Sequence, residues 1–270
     1  MVGQSDGQDI VQELEGLKLI QPDFAGAELD PSPNFGVRKD GKTPRFVILH
    51  YTGLETAQEA AEILKDPARE VSAHYLVHED GRIVQMVSEQ ARAWHAGKSF
   101  WKGETDINSA SIGIEIVNAG VLQDFPAYPL KQIEAVIRLC QDITMRHQIE
   151  QHFVLAHSDI APDRKIDPGQ NFPWERLHAA DVGHYVEPAP IKGGRFFARG
   201  ESGQPVEALQ SMLALVGYQI TIDGMFGEET ESVVNAFQRH FRRHKVDGVA
   251  DVSTIETLYK LLFSLKNLTA

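Results

Sequence analysis

The first two thirds of the chain contain short apolar runs that are ended by turn residues, a pattern typical of buried β-strands. Residues 46–49 form such a run, and Gly53 lies just beyond it. The segments SIGIEIVN at residues 111–118 and FVLAHSD at residues 153–159 share this character. Two further runs within residues 73–87 flank the turn sequence Glu-Asp-Gly. These two runs therefore predict a β-hairpin.

Between the strand-like runs, apolar residues recur at helical spacing. The clearest helix is predicted over residues 129–149, where Pro129 suits a helix start. The apolar residues that carry its spacing are Ile133, Val136, Ile137, Cys140 and Ile143. Residues 56–65 and 174–181 are predicted to form shorter helices. Together these patterns predict an α/β fold with a mixed central sheet and flanking helices.

The last third of the chain has a different pattern. A stretch rich in proline and glycine, which we place at residues 186–202, predicts a linker. It is followed by a helical apolar pattern that ends at Gly217, and then by two turn sequences that each lead into a helix start with a threonine. We therefore predict a small all-α domain of three helices at residues 203–266. The remaining boundaries are an N-terminal lead-in at residues 1–40 and a catalytic domain at residues 41–185.

Composition and charge narrow the classes of function. The formal charge of −12 argues against a nucleic-acid partner, which requires a basic surface. No apolar run is long enough to predict a membrane span. The N-terminus lacks the basic and apolar regions of a secretory signal, which predicts a cytoplasmic protein. Cys140, the only cysteine, is predicted to be a buried thiol. None of these features indicates an oligomeric state.

The segment HSDIAPDRKIDPG, residues 157–169, combines the side chains of a hydrolytic metal site. His157 offers an imidazole and Asp167 a carboxylate. Lys165 offers a positive charge, and in an extended segment it would lie on the same side of the chain as Asp167. A catalytic zinc ion uses three protein ligands of this kind and keeps one position for water. A third ligand must therefore come from elsewhere in the chain.

His50 is the best candidate for that ligand, because it lies at the C-terminal end of a predicted buried strand. Open α/β sheets commonly place their chemistry at such strand ends. The alternative is a histidine that only bonds to a backbone carbonyl, and an isolated histidine does not decide between the two.

Four motifs occur in the order seen in one enzyme family: RFVILHYTG (45–53), WHAG (94–97), SIGIEIVN (111–118) and HSDIAPDRKIDPG (157–169). On these motifs, residues from about 40 to 180 resemble the zinc-dependent N-acetylmuramoyl-L-alanine amidases of the type-2 amidase family. The resemblance is strongest to the bacterial enzymes that process anhydro-muropeptides. Residues from about 200 to 265 resemble a peptidoglycan-binding helical domain.

The resemblance implies an activity and a set of site residues. The activity is hydrolysis of the amide between N-acetylmuramic acid, including its 1,6-anhydro form, and the L-alanine of the stem peptide. The implied ligands of one zinc ion are His50, His157 and Asp167. Glu115 matches the glutamate that activates or orients water, and Lys165 matches the residue that stabilises the oxyanion.

Strand alternation supports the placement of Glu115, because it puts the neighbouring isoleucines on the opposite face of the strand. Six residues are candidate substrate contacts: Tyr51, His74, Trp94, His95, Asn108 and Arg164. The family often has a polar residue at the position of Tyr51, so the contact to muramic acid stays open.

Two other classes of function remain as alternatives. A non-catalytic muropeptide-recognition protein would have a similar fold but would not turn over its substrate. A glycosidase would use Glu115 with a second carboxylic acid and would not need the histidines. The peptidoglycan-binding domain also favours the periplasm or cell envelope as an alternative to the cytoplasm.

Overall fold

The computed structural model describes residues 14–268, so the first thirteen residues of the predicted lead-in lie outside the described residues. Its contacts divide the chain into two compact units. The first unit contains residues up to 97 together with residues 106–149, and the second contains residues 98–105 together with those from 150 onward.

The first unit contains a mixed sheet, as the sequence predicts. Its strands are β1 (Ala27–Leu29), β2 (Phe35–Gly36), β3 (Phe46–Tyr51), β4 (Tyr75–Val77), β5 (Ile83–Gln85), β6 (Arg92–Ala93) and β7 (Ser111–Ile116). Within this unit the sheet runs in the order β1-β5-β4-β7-β3, while β2 and β6 pair separately. The predicted hairpin is confirmed, because β4 and β5 are antiparallel. The pairs β1–β5, β4–β7 and β3–β7 are parallel.

The neighbouring strands β3 and β7 position two of the predicted site residues. They pair in parallel with His50 beside Glu115. The three isoleucines of β7 are fully buried, whereas Glu115 is only half-buried. The apolar face and the Glu115 face of β7 are therefore the ones that strand alternation predicts.

Three helices accompany this sheet: α1 (Ala57–Lys65), α2 (Ile107–Ala110) and α3 (Leu130–His147). The Thr56 hydroxyl caps α1 by accepting a hydrogen bond from the backbone of Glu59 at 3.1 Å. The apolar face of α1 packs with Leu76 and Val84 of the hairpin. In α3, Cys140 is a fully buried thiol as predicted, and burial raises the pKa of that thiol to about 12.

Part of the predicted lead-in belongs to the folded first unit. Residues 27–29 form β1 and pair with β5. The Asn34 side chain is buried and donates to the backbone oxygens of Asp66 and Val71 at 2.9 and 2.8 Å. A strand of three residues and a single hydrogen-bonded side chain such as Asn34 produce no periodic pattern of apolar residues. For this reason the sequence predicted only a lead-in here.

From residue 150 onward, the first regular elements of the second unit are one strand and two short helices. They are β8 (Val154–Ala156), α4 (His157–Ile160) and α5 (Trp174–His178). The predicted order of a strand followed by a histidine is confirmed in FVLAHSD, because the chain turns into α4 at His157, directly after β8. The Asp159 carboxylate explains this turn, since it accepts a hydrogen bond from the backbone of Ala156 at 2.8 Å. A side chain that bonds backward to the backbone competes with strand pairing.

Three longer helices complete this unit: α6 (Gln204–Val216), α7 (Glu228–Phe241) and α8 (Val252–Leu268). The helical C-terminal region is thus confirmed, and we call α6 to α8 with their connections the helical module. Gly217 ends α6 with a φ of 142°, a conformation that favours glycine. In the predicted linker, Ala189 is buried, donates its backbone N–H to Thr257 and accepts from the Ser253 hydroxyl.

The helical module contains the same hydrogen-bonded motif twice. The Gln210 amide oxygen accepts from the backbone of Asp223 and Gly224, and its nitrogen donates to Thr230. Gln238 repeats each of these contacts with Asp247, Gly248 and Thr254. Each glutamine therefore ties a helix to the turn and to the start of the helix that follows.

Across residues 14–268, the structure has no helix of the length and apolar character needed to cross a membrane.

Candidate metal centre

The first half of the site is built on β3 and β7. His50 lies near the end of β3 and is 1% exposed. Its Nε2 lies 3.0 Å from Nδ1 of His95, and the two rings meet edge to face with centroids 5.0 Å apart. On the far side, Nε2 of His95 lies 3.2 Å from the Ser111 hydroxyl. His95 therefore fixes the orientation of the His50 ring.

The position of His95 depends on two small features of the surrounding chain. A Cβ atom at Gly113 would lie only 2.4 Å from the His95 ring, so glycine is required beneath it. The Asn108 amide oxygen accepts from the backbone N–H groups of His95 and Ala96 at 3.0 and 2.8 Å. These contacts hold the WHAG segment against β7.

Next to His95 lies a buried network of polar side chains that includes His74, Arg38 and Glu89. The His74 ring is fully buried, and its centroid lies 5.8 Å from that of His95. Its Nδ1 accepts from the backbone of Gly113 at 2.9 Å, while Nε2 lies 3.3 Å from the Arg38 guanidinium. Desolvation and the nearby Arg38 charge lower the pKa of His74 to about 3, which keeps this ring neutral.

Glu89 carries the negative charge of the same network. It accepts from Tyr75 at 2.6 Å and from both Arg146 and His147. Desolvation raises the pKa of Glu89, but these hydrogen bonds outweigh it and lower that pKa to about 2. The backbone oxygen of Glu89 accepts from Arg38, which connects this anion to the base of the site.

The second half of the site is the segment from α4 to Asp167. His157 is the first residue of α4, and both His157 and Asp167 are buried. Nδ1 of His157 lies 2.9 Å from Oδ2 of Asp167. The backbone N–H of Ser158 donates to the Asp167 backbone oxygen at 3.0 Å, which fixes the two segments relative to each other.

The three predicted ligand residues converge. His50, His157 and Asp167 each offer one ligand atom, and these atoms all lie within 4.8 Å of one another. A tetrahedral ion with bonds of 2.0–2.2 Å separates its ligands by roughly 3.4 Å, so small side-chain rotations would suffice. Two imidazoles and one carboxylate are also a donor set that suits zinc. These residues therefore form a candidate metal site.

The other predicted site residues differ in their surroundings. Glu115 is half-buried beside His50 in the sheet register. Lys165 is half-buried in the loop before Asp167, and its backbone N–H donates to Ala161 at 3.0 Å. Their chemical roles stay predictions.

The candidate substrate contacts fall into two groups. Tyr51 and Trp94 are half-buried and stay predictions. His74, His95 and Asn108 have contacts that support the site from within, and the Arg164 side chain donates to the Lys98 backbone oxygen at 3.0 Å. His74 is fully buried. For these four residues, contact with a substrate also stays a prediction.

Sequence reasoning missed three supporting residues, namely Arg38, Ser111 and Asp159. Asp159 is 1% exposed, and its Oδ1 and Oδ2 accept from Tyr218 and His240. Its place inside the HSD motif was the one signal that could have drawn attention to it. Ser111 had a similar signal as the first residue of SIGIEIVN, whereas Arg38 had none, because its contacts with His74 and Glu89 lie far away in the sequence.

Sequence comparison with known proteins matches this chain to amidases. The family model described as N-acetylmuramoyl-L-alanine amidase matches residues 40–170, and a peptidoglycan binding domain model matches residues 202–258. The chain is 37% identical to the N-acetylmuramoyl-L-alanine amidase AmiD of Escherichia coli, over 78% of this chain and 79% of that protein. It is 36% identical to the 1,6-anhydro-N-acetylmuramyl-L-alanine amidase AmpD of the same organism, over 59% of this chain and 94% of AmpD.

A solved amidase structure also has a similar fold. The complex of E. coli AmiD with anhydro-N-acetylmuramic acid-L-Ala-D-γ-Glu-L-Lys superposes with a TM-score of 0.70 at 34% identity, over 83% of this chain and 91% of that one. The fold and the site thus define an amide hydrolase with a candidate metal centre. The chain belongs to the N-acetylmuramoyl-L-alanine amidase family, which confirms the predicted enzyme class.

Proposed function

We propose that this protein is a zinc-dependent amidase that cleaves the bond between N-acetylmuramic acid, including its 1,6-anhydro form, and the L-alanine of the stem peptide. The observation that carries this proposal is the convergence of His50, His157 and Asp167. AmiD and AmpD, which this chain resembles, are named for this chemistry, and the AmiD complex contains an anhydro-muramyl peptide.

The proposed chemistry uses three groups, namely the zinc ion, Glu115 and Lys165. When bound, zinc would polarise the scissile carbonyl and lower the pKa of a water molecule to about 7. Glu115 would accept the proton of the attacking water and return it to the leaving amine. Lys165 would place its ammonium near the carbonyl oxygen and so favour the tetrahedral state over the substrate.

The surroundings of Glu115 support its role as the general base. It lies on the face of β7 that strand alternation turns away from the apolar core, and it is the register partner of His50. A carboxylate beside a candidate metal ligand on the neighbouring strand would be placed to take up a proton at this site. We assign the proton transfer to Glu115 on this basis.

The test is mass spectrometry of an anhydro-muropeptide digest, with and without a zinc chelator. We expect free stem peptide and anhydro-sugar, lost on chelation and restored by added zinc. Uncut substrate with zinc-loaded protein would instead indicate a recognition protein. Cleavage between sugars that survives chelation would indicate a glycosidase.

We also propose that the helical module binds peptidoglycan. The support is the family match at residues 202–258. The test is co-sedimentation of the full chain with purified sacculi, with a zinc chelator present so that the substrate is not consumed. A chain that stays in the supernatant at all sacculus concentrations would contradict this proposal.

We further propose the cytoplasm as the compartment. The single cysteine is a buried thiol, so the fold needs no disulfide from an oxidising environment. The periplasm or cell envelope is the alternative that a peptidoglycan-binding module favours. Immunodetection in fractionated cells distinguishes the two.

A further inference from the structure

The helix that carries the ligand His157 cannot be stable by itself. Helix α4 spans four residues, His157–Ile160, and one isolated turn of helix is unstable in water. Its position therefore depends on contacts with the rest of the second unit. The Asp159 carboxylate of this helix is only 1% exposed and accepts hydrogen bonds from other parts of the unit.

Two of the three groups that hold Asp159 come from the helical module. Its Oδ1 accepts the Tyr218 hydroxyl at 2.8 Å. Its Oδ2 accepts from His240 at 2.7 Å and from the backbone of Ala156 at 2.8 Å. A buried carboxylate costs several kcal/mol unless it is paired and hydrogen-bonded, so these partners are needed to keep it inside.

Both module side chains are themselves held in place. The His240 ring stacks on the rings of Trp174 and Phe241, with distances between ring centroids of 3.8 and 4.0 Å. Its Nε2 is buried without a hydrogen-bond partner among the described residues, so the contact of this ring with Asp159 is made through Nδ1. Burial, and next the Asp159 charge, raise the pKa of Tyr218 well above its usual value, so the phenol remains a donor.

Helix α4 contains one of the two metal-ligand candidates of the second unit and forms hydrogen bonds with the other. His157 begins this helix, and its Nδ1 lies 2.9 Å from the Asp167 carboxylate. The backbone of Ser158 also bonds to the backbone of Asp167. A shift of α4 would therefore displace both residues.

We propose that the helical module is a positioning element of the metal centre, because Tyr218 and His240 hold Asp159 and thereby fix His157 and Asp167. This inference rests on the proposed metal-dependent function. It gives the module of this chain a second role beside peptidoglycan binding, in which Tyr218 and His240 act as positioning residues.

The test is zinc affinity of the full chain, measured by competition with a chromophoric chelator. Tyr218→Phe and His240→Leu remove one hydrogen bond each, and we expect each to weaken zinc binding by roughly 10-fold. His240→Asn keeps a donor close to the position of Nδ1, and we expect it to retain most of the affinity of the parent chain. Tyr259→Phe removes a hydroxyl from an exposed tyrosine of α8 and serves as the matched control.

A second control separates positioning from general stability. Gln210→Ala weakens the helical module without touching Asp159, so it should leave zinc affinity unchanged once thermal melts show that the chain is folded. Equal losses in Gln210→Ala and His240→Leu would overturn the positioning role, as would parental affinity in both Tyr218→Phe and His240→Leu. Either result leaves the proposed amidase intact. A parent chain that binds no zinc but still cuts the amide would refute the proposed zinc dependence itself.

Discussion

At the scale of single residues, the site combines candidate metal ligands with side chains that contact them. His50 lies between the sheet and His95, and His157 lies against Asp167. Glu115 differs from these, because it is proposed to act on the substrate's reaction and not on the metal. Substitution can therefore separate metal binding from turnover.

Glu115→Gln keeps the size of the side chain but removes the base. We expect zinc binding to stay at the parental level and the hydrolysis rate to fall roughly 10²-fold or more, as for loss of a general base. The measurement is the initial rate of muropeptide cleavage beside zinc content by atomic emission. Glu134→Gln, on the exposed face of α3, is the control. Near-normal turnover in Glu115→Gln would make Glu115 a structural residue.

His157→Ala removes one of the three candidate ligands. We expect zinc content and turnover to be lost together, because two protein ligands hold zinc poorly. His78→Ala is the control, since His78 is half-buried at the hairpin and contacts Arg82. An active, zinc-loaded His157→Ala protein would remove His157 from the ligand set.

At the scale of elements, the repeated glutamine motif holds the helical module together. Gln210 and Gln238 each connect a helix to a following turn and to the next helix start. Both turns contain a glycine with a φ of 70°, which allows its backbone N–H to point at the glutamine. The two motifs use different atoms, so their contributions to stability should be separable.

Gln210→Ala and Gln238→Ala each leave backbone N–H groups without their acceptor. We expect each to lower the free energy of unfolding of the module by about 1–3 kcal/mol, and the double variant to lose roughly the sum. Urea denaturation followed by circular dichroism measures this loss. Gln58→Ala, at an exposed position of α1, should change stability by less than about 0.5 kcal/mol. A loss that is no larger at Gln210 and Gln238 than at Gln58 would contradict the motif's role.

At the scale of the whole molecule, buried histidines make stability depend on pH. Desolvation, and next the electrostatic effect of the neighbouring His178, His152 and His240, lowers the pKa of His184 to about 4. Its Nε2 also lies 2.8 Å from the Ser264 hydroxyl. Such a histidine binds its proton more readily in the unfolded chain, where its pKa is about 6.5.

The sign of the pH effect follows from this difference. The stability that the neutral histidine contributes is complete above pH of about 6.5 and is lost as the pH falls toward 4. Glu89, whose pKa is lowered to about 2, loses its contribution only in more acidic solution. The chain should therefore melt at lower temperature at pH 5 than at pH 7.

His184→Gln removes the titrating ring and keeps a polar group near Ser264. We expect this variant to lose less stability than the parent between pH 7 and pH 5, by an amount of the order of 1 kcal/mol after allowance for solvent screening. Thermal melts at both pH values measure the difference. His244→Gln, at an exposed histidine, should behave as the parent does. An equal pH response in His184→Gln and the parent would exclude His184 as a source of the effect.

Local sequence patterns were enough to predict most of the fold and the core of the site. The alternation in SIGIEIVN placed Glu115 on the face of β7 opposite its isoleucines, and the motif order placed the ligand candidates on separate elements. Strand and helix patterns are visible in a sequence because they repeat over a few residues, at the spacing of the backbone conformation that produces them. Motifs are visible because their chemistry needs particular side chains close together in the chain.

The tertiary structure alone decided which residues support the ligands. His95, a candidate substrate contact, lies against His50, which is 45 residues away in the sequence. Tyr218 and His240 meet Asp159 across 59 and 81 residues. Contacts of this length leave no period in the sequence, because they depend on where whole elements pack. The identities of the candidate ligands could thus be predicted from the sequence, whereas the contacts that hold them in place became visible only in the packed fold.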